Sequence, residues 1–133
     1  MTLAELNLSF HDERTEFAPG ETLTAEYFAG ESCSAEVEAL EISVLWFTEG
    51  KGDEDFAVHY FQRTETSEAA PVDFRQPRQF STMLPNSPLS YDGVILRIRW
   101  CVRLRAFLTR GKQLVEQRTF RLGNVPVARA VLP

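Results

Sequence analysis

The sequence is poor in the residue groupings that carry most chemistry. Of its 133 residues, two are cysteine and two are histidine. Cys33 and Cys101 belong to no C-x-x-C pair, and His11 and His59 show no H-x-x-x-H spacing, so there is no metal-ligand motif. Two cysteines make no disulfide framework. No glycine-rich phosphate loop is present, and neither histidine has a Ser, Cys or Asp partner in a recognisable catalytic motif. The chain therefore reads as a non-enzyme that needs no cofactor. An enzyme would require a concave site that gathers His59 with a carboxylate. "GDED" at 52–55 lacks the ligand spacing of a calcium loop and reads as a solvated hairpin tip. No apolar run approaches membrane-spanning length. Glu5, Asp12 and Glu13 arrive before any signal-like segment forms. A cytoplasmic protein with no membrane span is expected.

Helical periodicity is absent as well. What replaces it is alternation, with turn residues between the alternating segments. Leu6, Leu8 and Phe10 mark an opening strand within 3–10, and Leu23, Ala25 and Tyr27 mark a second within 22–28. Residues 36–47 place Leu40, Ile42, Val44 and Trp46 on one side and Glu41, Ser43, Leu45 and Phe47 on the other. Residues 56–62 continue as a strand apolar on both sides, and "FSTML" (80–84) is a short one. The longest strand spans 94–108 and the last 112–122, with "TRG" between them. A three-residue hairpin loop there puts Gly111 where a left-handed residue is wanted. It also sets Trp100 opposite Phe120 and Ile98 opposite Leu122. The same register turns Glu116 and Arg118 inward near the tip, where they pair with each other or lie past the edge of the core. Residues 64–79 form the longest irregular stretch, and 124–133 a further edge strand or a tail. About seven to nine strands of this kind describe an all-β, antiparallel, immunoglobulin-like sandwich. With no internal repeat or domain break, residues 1–133 read as one domain.

Two stretches resemble arrestin-like domains. "FAPGETL" (17–23) resembles their Pro-Gly-Glu entry to an early strand. "FSTMLPNSPLSYDGVILRIRWCVRLRAFL" (80–108) resembles their later signature: a short strand ending in Leu-Pro, a Pro-Ser-aromatic-acid-Gly turn, then a long alternating strand. The resemblance implies an arrestin-like sandwich and an adaptor role without catalysis. Arrestin-type adaptors join two sandwiches, whereas this chain has room for one, and Thr24 and Ala25 stand where a glycine often follows the Pro-Gly-Glu entry.

Charge is distributed unevenly. Residues 1–93 carry five basic and eighteen acidic residues, and residues 94–133 carry nine basic residues and one acid, Glu116. The net −5 thus conceals a basic final hairpin beside acidic early strands. On "LRIRWCVRLR" (96–105), alternate side chains leave on opposite faces. Leu96, Ile98, Trp100, Val102 and Leu104 take one face; Arg97, Arg99, Cys101, Arg103 and Arg105 take the other. If this strand lies between 36–47 and 112–122, the arginines have Glu41 as their one nearby carboxylate, with Phe47 and Phe107 beside them. Arginine with interleaved aromatics is the composition of protein-binding surfaces. The reading is a docking face for an acidic or amphipathic protein surface or for a second copy, made by Arg97, Arg99, Arg103, Arg105, Phe47, Phe107 and Glu41. Two alternatives stand beside it: loop 64–79 folds over the face and neutralises it, or the domain binds a small anionic ligand. The acidic half argues against nucleic acid as a partner.

Overall fold

A computed structural model describes residues 5–52 and 54–126. These form nine strands: β1 (Leu6–Phe10), β2 (Glu16–Phe17), β3 (Thr22–Ala29), β4 (Val37–Gly50), β5 (Phe56–Glu65), β6 (Arg78–Met83), β7 (Tyr91–Asp92), β8 (Leu96–Leu108) and β9 (Gln113–Leu122). One sheet has the order β1-β3-β6. The other runs β2-β9-β8-β4-β5, with β7 paired to β8 at one end. All neighbours are antiparallel except β2 and β9. No helix among the described residues is long and apolar enough to cross a membrane.

The alternation decides which faces meet. Leu23, Ala25, Tyr27 and Ala29 of β3 are buried against Leu40, Ile42 and Val44 of β4 and Trp100, Val102, Leu104 and Ala106 of β8 in one core. A group of aromatic rings ties the sheets together. Phe120 lies 6.1 Å from Phe10, 5.6 Å from Phe17 and 5.8 Å from Trp100, centroid to centroid. Trp100 satisfies its buried indole N–H by donating to the Pro88 carbonyl at 2.7 Å. Cys33 is buried and free, and its thiol donates to the Glu5 carbonyl.

The β8–β9 hairpin closes through Thr109–Gly111 as the three-residue loop requires. Arg110 and Gly111 both have positive φ, and Trp100 pairs with Phe120. Glu116 and Arg118 pair with each other at 3.4 Å.

Three expectations need correction. The long strand begins at Leu96, two residues later than 94. Gly93 N–H donates to the Leu96 carbonyl, and the Ile95 carbonyl is packed so close to Gly50 that a Cβ there would meet it at 2.1 Å. That contact turns Val94 and Ile95 off the ladder and into solvent. Second, Ile98 does not face Leu122, because Tyr91 takes the edge of β8 at Ile98, and Leu122 instead exchanges bonds with Ser90. Third, the strand expected at 56–62 does not end at 62. It is an edge strand, mostly exposed, that extends to Glu65. It also carries a bulge at His59: Val44 pairs with Tyr60, but Leu45 pairs with Val58. Residues 124–126 form no strand, and 127–133 lie outside the described residues.

Residues 66–77 close one end of the sandwich. Phe74 enters the core and its carbonyl accepts from Ala29 N–H; Thr66 N–H donates to the Glu38 carbonyl; Asp73 is held by Arg75.

Candidate interaction face

The two outward faces of the sandwich differ in chemistry. On the three-stranded sheet the outward residues include Ser9, Thr24, Glu26, Gln79 and Ser81, with Thr24 and Ser81 joined hydroxyl to hydroxyl at 2.7 Å. Met83 and the half-buried Phe28 stand at the ends of that face. On the six-stranded sheet the outward residues of β8 are Arg97, Arg99, Cys101, Arg103, Arg105 and Phe107. They lie opposite Glu49, Phe47, Leu45, Ser43, Glu41 and Ala39 of β4. The order β9-β8-β4 places this row in the middle of the sheet.

Around the row the sheet shows apolar side chains to solvent. Phe56, Val58 and Phe61 on β5 are 68%, 51% and 55% exposed, and Val115 on β9 is 54% exposed. Their positions follow from register: Phe56 is opposite Phe47, Val58 opposite Leu45, Phe61 opposite Ser43, and Val115 opposite Arg105. Alternation in "FAVHYFQ" does not reveal this. The bulge at His59 shifts the parity, so Phe56, Val58 and Phe61 share the outer face while Tyr60 turns inward and stacks on Phe80.

The arginines are less bare than the sequence suggests. Glu41 does not serve the row on β8. Its carboxylate accepts from Arg63 at 2.6 Å, and Glu65 accepts from the same guanidinium. These two carboxylates hold Arg63 above the usual guanidinium pKa, and Arg63 in turn lies 4.9 Å over the Phe107 ring. Glu49, at the end of β4, pairs with Arg99. Arg103 donates to Gln117, and among the described residues Arg97, Arg103 and Arg105 make no ion pair. Cys101 faces outward, as its parity requires, yet it is fully buried beneath its neighbours. Loop 64–79 does not neutralise the row. Its polar contact with this face among the described residues is Glu65 with Arg63.

At one end the face opens into a fork. Cys101 opposite Thr119 is the last outward pair of β8 and β9. The next outward positions, Arg99 and Arg121, would set like charges against each other, which disfavours pairing. Residues 90–92 occupy the gap instead. Asp92 takes Arg121 at 3.1 Å, and Glu49 takes Arg99. The fork borders a half-open cleft of about 230 Å³. Neither the fork nor its residues Glu16, Asp92 and Arg121 are evident in the sequence, because the insertion depends on contacts between distant segments.

His59 gathers no carboxylate among the described residues. Its Nε2 lies 2.8 Å from the Met83 carbonyl and 3.3 Å from the Thr82 hydroxyl, so it joins β5 to β6 across the side of the sandwich. At the tip of the β4–β5 hairpin the Asp55 carboxylate accepts from Phe56 N–H, and Asp53 lies outside the described residues.

No protein-family model matches the sequence. No curated protein matches it either. Among solved structures the fold is similar to the crystal structure of Spo0M, a sporulation control protein from Bacillus subtilis, with a TM-score of 0.56 at 12% sequence identity. The likeness covers 94% of this chain and 51% of that one, so the chain spans about half the length of that protein. The fold is an all-β, arrestin-like sandwich.

Proposed function

We propose that this chain is a non-catalytic, arrestin-like interaction domain of the cytoplasm. It holds an acidic or amphipathic protein surface, of another protein or of a second copy, against the outer face of its six-stranded sheet. The observation that carries the reading is the difference between the two outward faces. One is largely Ser, Thr, Gln and Glu. The other combines Arg97, Arg103 and Arg105, which make no ion pair among the described residues, with exposed Phe56, Val58, Phe61 and Val115.

Exposed apolar side chains cost solubility and are kept where a contact covers them. Arginine beside aromatics supplies the anchors of such contacts, and its charge selects an acidic partner. Phe47 and the Arg63–Phe107 stack complete the surface between these groups.

The test is selection of random peptides displayed against the wild-type domain and against an Arg103→Glu/Arg105→Glu variant. The wild type is expected to enrich peptides that combine acidic and apolar residues, and charge reversal is expected to abolish them while the fold is retained. Failure to enrich, or enrichment indifferent to the reversal, refutes the reading.

A further inference from the structure

Both sheets end in open edges: β1 and β6 in the smaller one, β2, β7 and β5 in the larger. Most are short or covered. β2 and β7 are two residues each. The Leu8 carbonyl of β1 accepts from Arg118 Nε at 3.5 Å, and the Met83 carbonyl of β6 accepts from His59 Nε2 at 2.8 Å. β5 has no such cover. Thr66 N–H donates to the Glu38 carbonyl, and along an antiparallel ladder the residues that bond to the neighbour alternate. Thr64, Gln62 and Tyr60 therefore turn their backbone groups to Leu40, Ile42 and Val44 of β4. Phe61, Arg63 and Glu65 turn theirs away from the sheet. Among the described residues those N–H and C=O groups have no partner, and all three residues are exposed. Such a row of unpaired backbone groups is a template for another strand. The bulge at His59 interrupts the row and leaves 60–65 as its regular part.

We propose that this part of β5 pairs antiparallel with the same strand of a second copy, about a two-fold axis at Gln62. Register selects the arrangement. An axis at Gln62 sets Phe61 of each copy opposite Arg63 of the other. Both residues carry free backbone groups and both side chains lie on the solvent face, so each pair exchanges its N–H and C=O bonds in full. Tyr60 meets Thr64, and Glu65 comes level with His59. Arginine beside a phenylalanine ring repeats the contact that Arg63 makes with Phe107, and the charge of Arg63 stays balanced by Glu41 and Glu65. The neighbouring registers fail. An axis at Arg63 sets that guanidinium against itself. An axis at Phe61 sets Arg63 against His59 and carries the next pair into the bulge. A slip of one residue turns inward side chains against outward ones. The complement that β5 needs is thus β5 itself, which makes the occupant a second copy. The two larger sheets then join edge to edge with their arginine faces on the same side.

The experiment is sedimentation equilibrium of the full chain over a wide concentration range, because a contact this narrow makes a reversible dimer. The mass is expected to rise from one chain to two. Phe61→Pro removes a free edge donor and no bond to β4, a change that edge strands tolerate. With its fold checked by circular dichroism, it is expected to weaken the dimer by about tenfold or more. Arg103→Glu/Arg105→Glu is expected to dimerise as the wild type does, which keeps this contact separate from the docking face. A second measurement reads the register. Gln62→Cys places two thiols across the axis on a pair whose Cα atoms stand about 4.5 Å apart, within disulfide reach. Mild oxidation is expected to link two chains through position 62 and not through Ser81→Cys on the other sheet; native Cys33 and Cys101 are buried. The proposal is overturned if the wild type keeps the mass of one chain throughout, if folded Phe61→Pro dimerises as tightly, if the double arginine reversal abolishes the dimer, or if Gln62→Cys links no faster than Ser81→Cys.

Discussion

Leu45 and Cys101 stand opposite each other on β4 and β8, on the outward side of the sheet, and are nevertheless 2% and 0% exposed. They are roofed by the long side chains beside them, so the arginine row is a covering layer as well as a charged one. Burial pushes the Cys101 thiol up to about 11, with Arg103 opposing in the other direction. Native Cys101 is therefore expected to resist alkylation near neutral pH. From the ordinary thiol value of 9.0 upward, the unfolded chain loses this proton while the folded chain keeps it until about 11. Across that window the unfolded state binds fewer protons and stability declines as pH rises. Chemical denaturation from pH 8 to about 11 checks this, since Cys101→Ala is expected to flatten the decline.

Phe120 and Phe61 separate stability from function. Phe120 is the ring that Phe10, Phe17 and Trp100 all pack against. Phe120→Ala is expected to lower the unfolding free energy by about 3–5 kcal/mol in a urea titration. Phe61 is more than half exposed, and Phe61→Ser is expected to change stability by no more than about 0.5 kcal/mol. The same substitution is expected to weaken any ligand of the outer face.

Gly50 has φ +140°, and a Cβ there would meet the Ile95 carbonyl at 2.1 Å. Backbone cannot give way as a flexible side chain can, so Gly50→Ala must part the end of β4 from the start of β8. Loss of several degrees in melting temperature is expected, with faster amide exchange at Leu96 and Arg97 and little change at the opposite hairpin, Thr109–Gly111.

The middle of the fold was legible because it rests on local pattern. Alternation from Leu96 to Leu108 assigns the Trp100 side to the interior, and the spacing of "TRG" sets Trp100 against Phe120; both hold in the structure. The ends were not legible. That Tyr91 displaces Leu122 from Ile98, or that Glu16 pairs beside Arg121, depends on segments brought together from far along the chain. The bulge at His59 had no signal in its neighbours, yet it decides that Phe61 faces solvent and Tyr60 the core. Of the site, the arginine row, Phe47 and Phe107 were readable from parity. The partners of Glu41, Glu49 and Arg63 were not, because several cross-strand neighbours compete for each charge.

The central claim is that one outward face of this sandwich is a contact surface and the other is not. Its most direct test is to place a photo-crosslinking amino acid at position 61 or 115 on the six-stranded sheet, and at 79 or 81 on the three-stranded one. Each version is irradiated in the cells that make the protein. Adducts, to another protein or to a second copy, are expected from 61 and 115 and none above background from 79 and 81. Equal adducts from both faces, or adducts from 79 and 81 alone, would contradict the account.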